Sequence, residues 1–343
     1  MAIKAKLKNI CSHAVQRMGR KLEAANLLGR SYGLRAINFH HIADRESIFT
    51  EGLRLTTKPD VFENMLRYFV NHYNILDINT IASGSDNVRL PQRPLLVTFD
   101  DAYVSAAQIG APLCRKYGIP AVFFVSASLI DNNTLPLDNL ICYIANTMGI
   151  TVIENVCRKH FALSSGSIQS VCSFLNGVLP DFSYENRTAL ACALASETGL
   201  DTSALAREAG LFISRDQLKY LADNGFHIGN HTYSHVHCRH LDQRACEREI
   251  IHNKNVLEVA TGTQVRAFSF PYGSHKDATP TVLETLRSSG HEVGFLVESR
   301  PNTYTTNPFC YNRISLKAQD NVSAFLEIEI LPRLRIIKSW ALH

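Results

Sequence analysis

Short apolar runs alternate along this chain with stretches in which apolar residues return every three to four positions. Leu34 to Ile42 is largely apolar, ends in His40 and His41, and reads as a strand. Over Pro59 to Asn74, Val61, Met65, Leu66, Phe69 and Val70 fall at helical spacing. Pro94-Leu-Leu-Val-Thr-Phe99 is a second predicted strand and runs straight into Asp100 and Asp101. A helix is predicted over 104–117, followed by a Gly118-Ile-Pro120 joint and the apolar strand Ala121–Val125. Strands alternating with helices, with Gly or Pro at the joints, point to a parallel α/β sheet or barrel.

Residues 131–213 break that rhythm: rich in Ala, Leu, Ser and Asn, they carry helical periodicity and no convincing strand, and read as a mostly helical insertion. The alternation resumes with a helix over 215–223, a strand over 225–229 and a long helix over 242–261. A strand over 267–270, a helix over 280–289 and a strand over 290–297 complete it. The longest apolar run, Ile119 to Ile130, has 12 positions and includes Pro120, Ser126 and Ser128. A membrane span needs about 18, so none is expected.

Composition narrows the class. At 45% hydrophobic and 19% charged, the 343 residues are those of a folded globular protein rather than a disordered or fibrous one. The net charge of 35 − 31 = +4 is too small to indicate a nucleic-acid partner. Much of the positive charge gathers at the ends: Lys4, Lys6, Lys8, Arg17, Arg20, Lys21, Arg30 and Arg35 face a single acid, Glu23. That stretch lacks the apolar core and cleavage site of a secretion signal. Residues 1–33 read as a basic amphipathic extension and 317–343 as a basic tail, both suited to an anionic membrane surface. Nine cysteines, singly spaced and without Cys-x-x-Cys, argue against a disulfide framework. The expectation is a cytoplasmic protein, with peripheral contact at the inner membrane face.

Three segments carry ligand-type residues at predicted strand ends. In Thr98-Phe-Asp100-Asp101, two adjacent carboxylates follow a buried strand, a costly placement unless a cation compensates them. Neighbouring strand residues face opposite ways, so the two should do different jobs. In His231-Thr-Tyr-Ser-His235, the four-residue spacing would put both imidazoles on one face of a helical turn, and two His plus one Asp leave metal positions open for water and substrate. Phe268-Ser-Phe-Pro271-Tyr272-Gly273 is a strand stopping at a turn whose N–H groups can face a developing oxyanion.

In this order the segments resemble the motifs of the polysaccharide deacetylase family, the NodB-homology domain of the family-4 carbohydrate esterases. Thr-Phe-Asp-Asp resembles its first motif, His-Thr-x-x-His its second and Phe-Pro-Tyr-Gly its third, and Lys116 to Val125 looks like the family's second strand. The resemblance implies a distorted, incomplete (β/α) barrel over 34–316, interrupted by the helical insertion 131–213. It implies a divalent metal, usually zinc, on Asp101, His231 and His235, with Asp100 as general base. The Tyr272 N–H would stabilise the oxyanion, and Pro271 and Tyr272 would wall the acyl pocket. The implied substrate is an N-acylated, in particular N-acetylated, saccharide. The missing secretion signal and basic ends favour a lipid-linked one.

Three departures qualify the match. Ala102 stands where the family usually has Gly, and Ser269 where many members have an Arg that holds the base. Arg313 resembles an Arg that ends a late strand in another branch and would substitute for it. The usual leucine–histidine motif carrying the general acid is absent from the late strand. The branch that lacks it opens with a strand ending in aromatic–His, which Phe39-His40 matches, making His40 the expected acid. Two other readings stand beside this one: a deformylase or other amide hydrolase, and a degenerate member that binds glycans without hydrolysis.

Overall fold

Seven parallel strands form the frame: β1 (Arg35–Phe39), β2 (Pro94–Phe99), β3 (Ala121–Val125), β4 (His227–Asn230), β5 (Ala267–Ser269), β6 (Val293–Leu296) and β7 (Tyr311–Ser315). These come from a computed structural model that describes residues 33–82, 90–164, 166, 168–303, 305–317 and 319–332. The predicted extension 1–33 lies outside the described residues but for Gly33, as do Arg333, Arg335 and Lys338 of the predicted tail 317–343. The described part of that tail holds a helix over Asn321–Phe325, buries Ala324 and Ile328 in the barrel–helix apolar cluster and pairs buried Glu329 with Arg35 at 2.8 Å. Each strand pairs with the next, and β7 pairs back on β1 from Ala36↔Arg313 to Asn38↔Ser315. The ring therefore closes with one strand fewer than an eight-stranded barrel. A two-residue strand, Asn74–Ile75, adds at the start of β2.

Every residue of β1, β2 and β3 is buried. Parallel strands covered on both faces read as continuous apolar runs rather than alternations, which explains their legibility. Alternate residues still divide by face. Ile37, Phe39, Leu95, Val97, Phe99, Phe123 and Val125 pack with helix residues in one apolar cluster. Ala36, Leu96, Val122, Phe124, Ala267, Val293 and Phe295 form a second cluster on the opposite, lumen face. On the same parity one step further along lie Asn38, Thr98 and Ser269, all buried and polar. The lumen is thus apolar below and polar at the C-terminal ends of the strands.

Helices cover the ring. Helix α1 (Pro59–His72) begins with Pro at a position that needs no N–H and buries Val61, Phe62, Met65, Leu66, Tyr68 and Phe69. Val70, expected on that face, is 38% exposed. Nine residues on from Val61 at about 100° each, it points to the opposite side. Gly229 on β4 is required by close packing: a Cβ there would meet the Phe124 ring at 2.3 Å.

Between β3 and β4 the described residues hold helices and no strand, including α2 (Leu137–Thr147), α3 (Ile150–Phe161), α4 (Tyr184–Thr198) and α5 (Thr202–Ala209). They share a separate apolar cluster that includes Leu140, Ile144, Ile153, Phe174, Leu179, Leu190 and Leu194. This layer sits on the loop after β1. Asn139 donates to the Phe49 carbonyl at 3.0 Å, Asn146 to those of Ile48 and Glu51, and Phe49 stacks on Tyr143 at 5.0 Å. No helix among the described residues is long and apolar enough to cross a membrane.

Candidate metal centre

At the end of β2 the backbone turns sharply, with Asp101 at φ 68° and Ala102 at φ 58°. Two consecutive non-glycine residues in the left-handed region separate the directions of the two carboxylates. Asp100 keeps the inward parity of Leu96 and Thr98, while Asp101 reaches the loop after β4. For Ala102 the left-handed conformation costs about 1–2 kcal/mol. Its buried methyl, in the barrel–helix cluster, returns about 0.8 kcal/mol, and a glycine would bring its own unfolded-state entropy. Ala102→Gly should therefore change unfolding free energy by less than about 1 kcal/mol, readable in denaturant melts. The departure from Gly is tolerated because these effects nearly cancel.

His231 and His235 do not share a helical turn. Thr232 at φ 59° and His235 at φ 53° bend the segment into an irregular loop. Buried Glu249 holds that loop by accepting from the Ser234 N–H at 2.9 Å and the Ser234 hydroxyl at 2.8 Å. Asn253 ties the ends of β3 and β4 together, donating to the Val125 carbonyl at 3.0 Å and the Asn230 side chain at 2.7 Å. The two imidazoles converge all the same: each Nε2 stands 3.2 Å from Asp101 Oδ1.

The donors of Asp101, His231 and His235 lie within 4.8 Å of one another. Ligands about 2.1 Å from a tetrahedral ion are about 3.4 Å apart, so the set fits one divalent metal. His231 Nδ1 lies 2.8 Å from the Ser269 carbonyl, an acceptor that keeps the proton on Nδ1 and leaves Nε2 free as a ligand. Burial pushes the Asp101 carboxyl up, but His235 and His231 outweigh it and hold it well below the usual range. Burial lowers His235 while Asp101 raises it, for a net rise. Each group therefore favours its partner's charged form, and a bound cation would take the place of the imidazolium proton, since His235 ligates only when neutral.

Asp100 lies beside this cluster, 3.9 Å from His231 Nε2 and 2% exposed. Arg313, fully buried on β7, grips it with two bonds of 2.7 Å, one to each carboxylate oxygen. Asn38 donates to Oδ2 at 3.0 Å and Ser269 at 3.3 Å. Arg313 also donates to Ser269 Oγ, Thr98 Oγ1 and the Leu296 carbonyl, and its guanidinium lies over the Phe124 ring at 5.2 Å. Burial raises the Asp100 carboxyl, yet Arg313 and His231 outweigh it and hold it below the ordinary range.

Asp100, Asp101, His231 and His235 floor a cavity of about 220 Å³ also lined by His40, Leu53, Leu55, Tyr103 and, from the helical layer, Asp138, Asn139 and Leu175. His40 Nε2 is 3.5 Å from the Asn38 amide that also holds Asp100. Burial lowers its pKa against the raising pull of Asp101 and Asp100, so the ring rests neutral. Tyr272 lines the cavity, while Pro271 is buried and is not part of the lining. Tyr272 is left-handed at φ 60°. Gly273 follows at φ 49° where a Cβ would meet Val297 N at 2.5 Å, and its carbonyl accepts from that N–H at 2.7 Å.

The sequence reading did not single out Asp138, Arg187, Asn38, Glu249 or Asn253. Asn38 was legible from strand parity with His40. The other four come from helices with no motif spacing to the centre.

The family model of polysaccharide deacetylases matches residues 87–294, which carry all three motifs. No curated protein matches the sequence. Among solved structures, a Streptococcus pyogenes deacetylase in complex with acetate is 14% identical, with TM-score 0.56 over 86% of this chain and 98% of its own. IcaB from Ammonifex degensii is 17% identical, with TM-score 0.53 over 86% and 97%. A polysaccharide deacetylase from Bacillus cereus is 14% identical, with TM-score 0.54 over 88% and 69%. At such identities the likeness is one of fold, the same (β/α) ring. The sequence match covers more than half of the residues, and it spans the strand ends on which Asp100, Asp101, His231, His235 and Tyr272 converge: this chain belongs to the polysaccharide deacetylase family.

Proposed function

We propose that the protein hydrolyses the N-acetyl group of a saccharide in a metal-dependent reaction. The observation that carries this reading is Asp100, gripped through both carboxylate oxygens by Arg313, directly beside the convergent Asp101, His231 and His235 set. A zinc ion held there would supply a Lewis acid that brings the pKa of water down to about 7. Asp100 accepts the proton of the attacking water, a role suited to a carboxylate kept charged near neutral pH. The Tyr272 N–H, which has no acceptor among the described residues, donates to the oxygen that gains charge. His40, neutral at rest, takes up the proton that Asp100 draws from the water and, as the imidazolium, returns it to the departing amine. The apolar rim of Leu53, Leu55 and Leu175 suits the non-polar face of a sugar ring.

The test combines metal analysis with acetate and formate release from free and lipid-linked N-acyl sugars. One equivalent of zinc and release of acetate are expected. His231→Ala should lose both metal and turnover. Stoichiometric metal without acyl release from any substrate would leave glycan binding as the function. His40→Ala should lower kcat by about tenfold or more with metal content unchanged; wild-type turnover in that variant would remove His40 from the reaction.

A further inference from the structure

Two residues of the helical layer reach across the cavity to the Pro271-Tyr272-Gly273 turn. The Tyr272 hydroxyl donates to Asp138 Oδ2 at 2.8 Å and accepts from Arg187 Nη2 at 2.6 Å. Arg187 also contacts Asp138 Oδ1 at 3.4 Å and donates to the Leu179 carbonyl. Asp138 belongs to α2 and Arg187 to α4, and both are shielded, with side chains 13% and 7% exposed. The guanidinium also lies 5.1 Å from the Tyr272 ring centroid, and His237 stacks on that ring at 3.9 Å.

Such closed pairing is more than packing needs. A tyrosine at a cavity wall is satisfied by one partner or by water. Here the phenol is both donor and acceptor to an ion pair that neutralises itself, and that pair comes from a segment the barrel does not require for closure. What it restrains is a residue with a strained backbone whose N–H faces no protein acceptor. A left-handed non-glycine residue persists only where its surroundings over-determine it. Oxyanion donors contribute through pre-organisation, and small displacements of them are costly.

We propose that Arg187 and Asp138 are positioning residues for hydrolysis: by fixing the Tyr272 side chain they hold its backbone N–H in the orientation that receives the oxyanion. This rests on the deacetylase reading, and it makes the helical layer a working part of the catalytic turn rather than a cover.

The experiment compares zinc-loaded wild type, Tyr272→Phe, Arg187→Met and the double variant on the best N-acetyl substrate. Amide hydrogen exchange over 270–274 is followed in parallel. Tyr272→Phe keeps the ring and the N–H and removes only the clamped hydroxyl. It should lower kcat about 10- to 100-fold with KM within about twofold, unchanged zinc content and faster exchange confined to the turn. Arg187→Met should do the same, and the double variant should be no worse than the poorer single one, because both remove one device. If Arg187→Met does not fold, Tyr272→Phe carries the test alone. Unchanged kcat and exchange in folded, zinc-loaded Tyr272→Phe, or losses that multiply in the double variant, would overturn the clamp. A wild type that releases no acyl group while Tyr272→Phe speeds exchange at the turn would sink the hydrolase reading and leave the clamp standing.

Discussion

Asp100→Asn is expected to lower kcat by about 10²- to 10⁴-fold, the usual contribution of a positioned general base. Zinc content should not fall, since the ligand donors belong to Asp101, His231 and His235. The amide retains the shape of the carboxylate and can still accept one bond from Arg313, but it cannot take a proton from water. It also leaves a guanidinium of 0% exposure without its counter-charge. Breaking a buried pair from one side costs about 3–5 kcal/mol, so thermal stability falls with activity. Kinetics must therefore be read well below the variant's melting temperature. Turnover within about threefold of wild type would remove Asp100 from the reaction.

Arg313→Met breaks the same pair from the other side and separates two effects that the first variant combines. Stability should again drop by about 3–5 kcal/mol. The proton balance changes as well. Asp100 is held below the ordinary carboxylate range because Arg313 and His231 outweigh burial. Without Arg313, burial gains the upper hand and the carboxyl titrates higher. The sign follows directly: a depressed folded-state pKa gives stability that is full above the unfolded value of about 4 and is lost as pH falls through the folded value. In wild type that loss falls below the ordinary carboxylate range. In Arg313→Met the acid limb of kcat/KM should move upward in pH, whereas a purely structural loss would lower the profile without shifting it. Combining Asp100→Asn with Arg313→Met should recover stability relative to either single variant without recovering turnover, because no buried charge is then left unpaired.

How much of this was legible depends on where each residue gets its constraint. β2 and β3 announce themselves because both faces are buried, so the strand signal is a run of Leu, Val and Phe. Asp100 and Asp101 were conspicuous because carboxylates rarely follow such a run without a counter-charge. Arg313 was reachable through a resemblance, yet its grip on Asp100 depends on ring closure, which pairs its strand with β1. The convergence of His231 and His235 was anticipated for the wrong geometric reason. Spacing alone suggested a helix, while Glu249 and two left-handed residues make a loop that brings the same nitrogens together. Asp138 and Arg187 were beyond sequence reasoning. They lie 134 and 85 residues from Tyr272, and their meeting depends on how the helical layer docks on the barrel.

The closure of the ring has a bearing on where the fold can be cut. The span that carries the three motifs, residues 87–294, holds β2 to β5 and the start of β6, but neither β1 nor β7. Trimmed to that span, the chain would keep every proposed metal ligand and still lose Arg313, Asn38 and His40. It would also become an open sheet, with the outer edges of β2 and β6 freed of their partners. Unpaired, apolar parallel edges invite pairing with other chains. The motif-bearing segment is thus an arc, and the two strands from outside it give the arc both its seal and the side chains that grip Asp100.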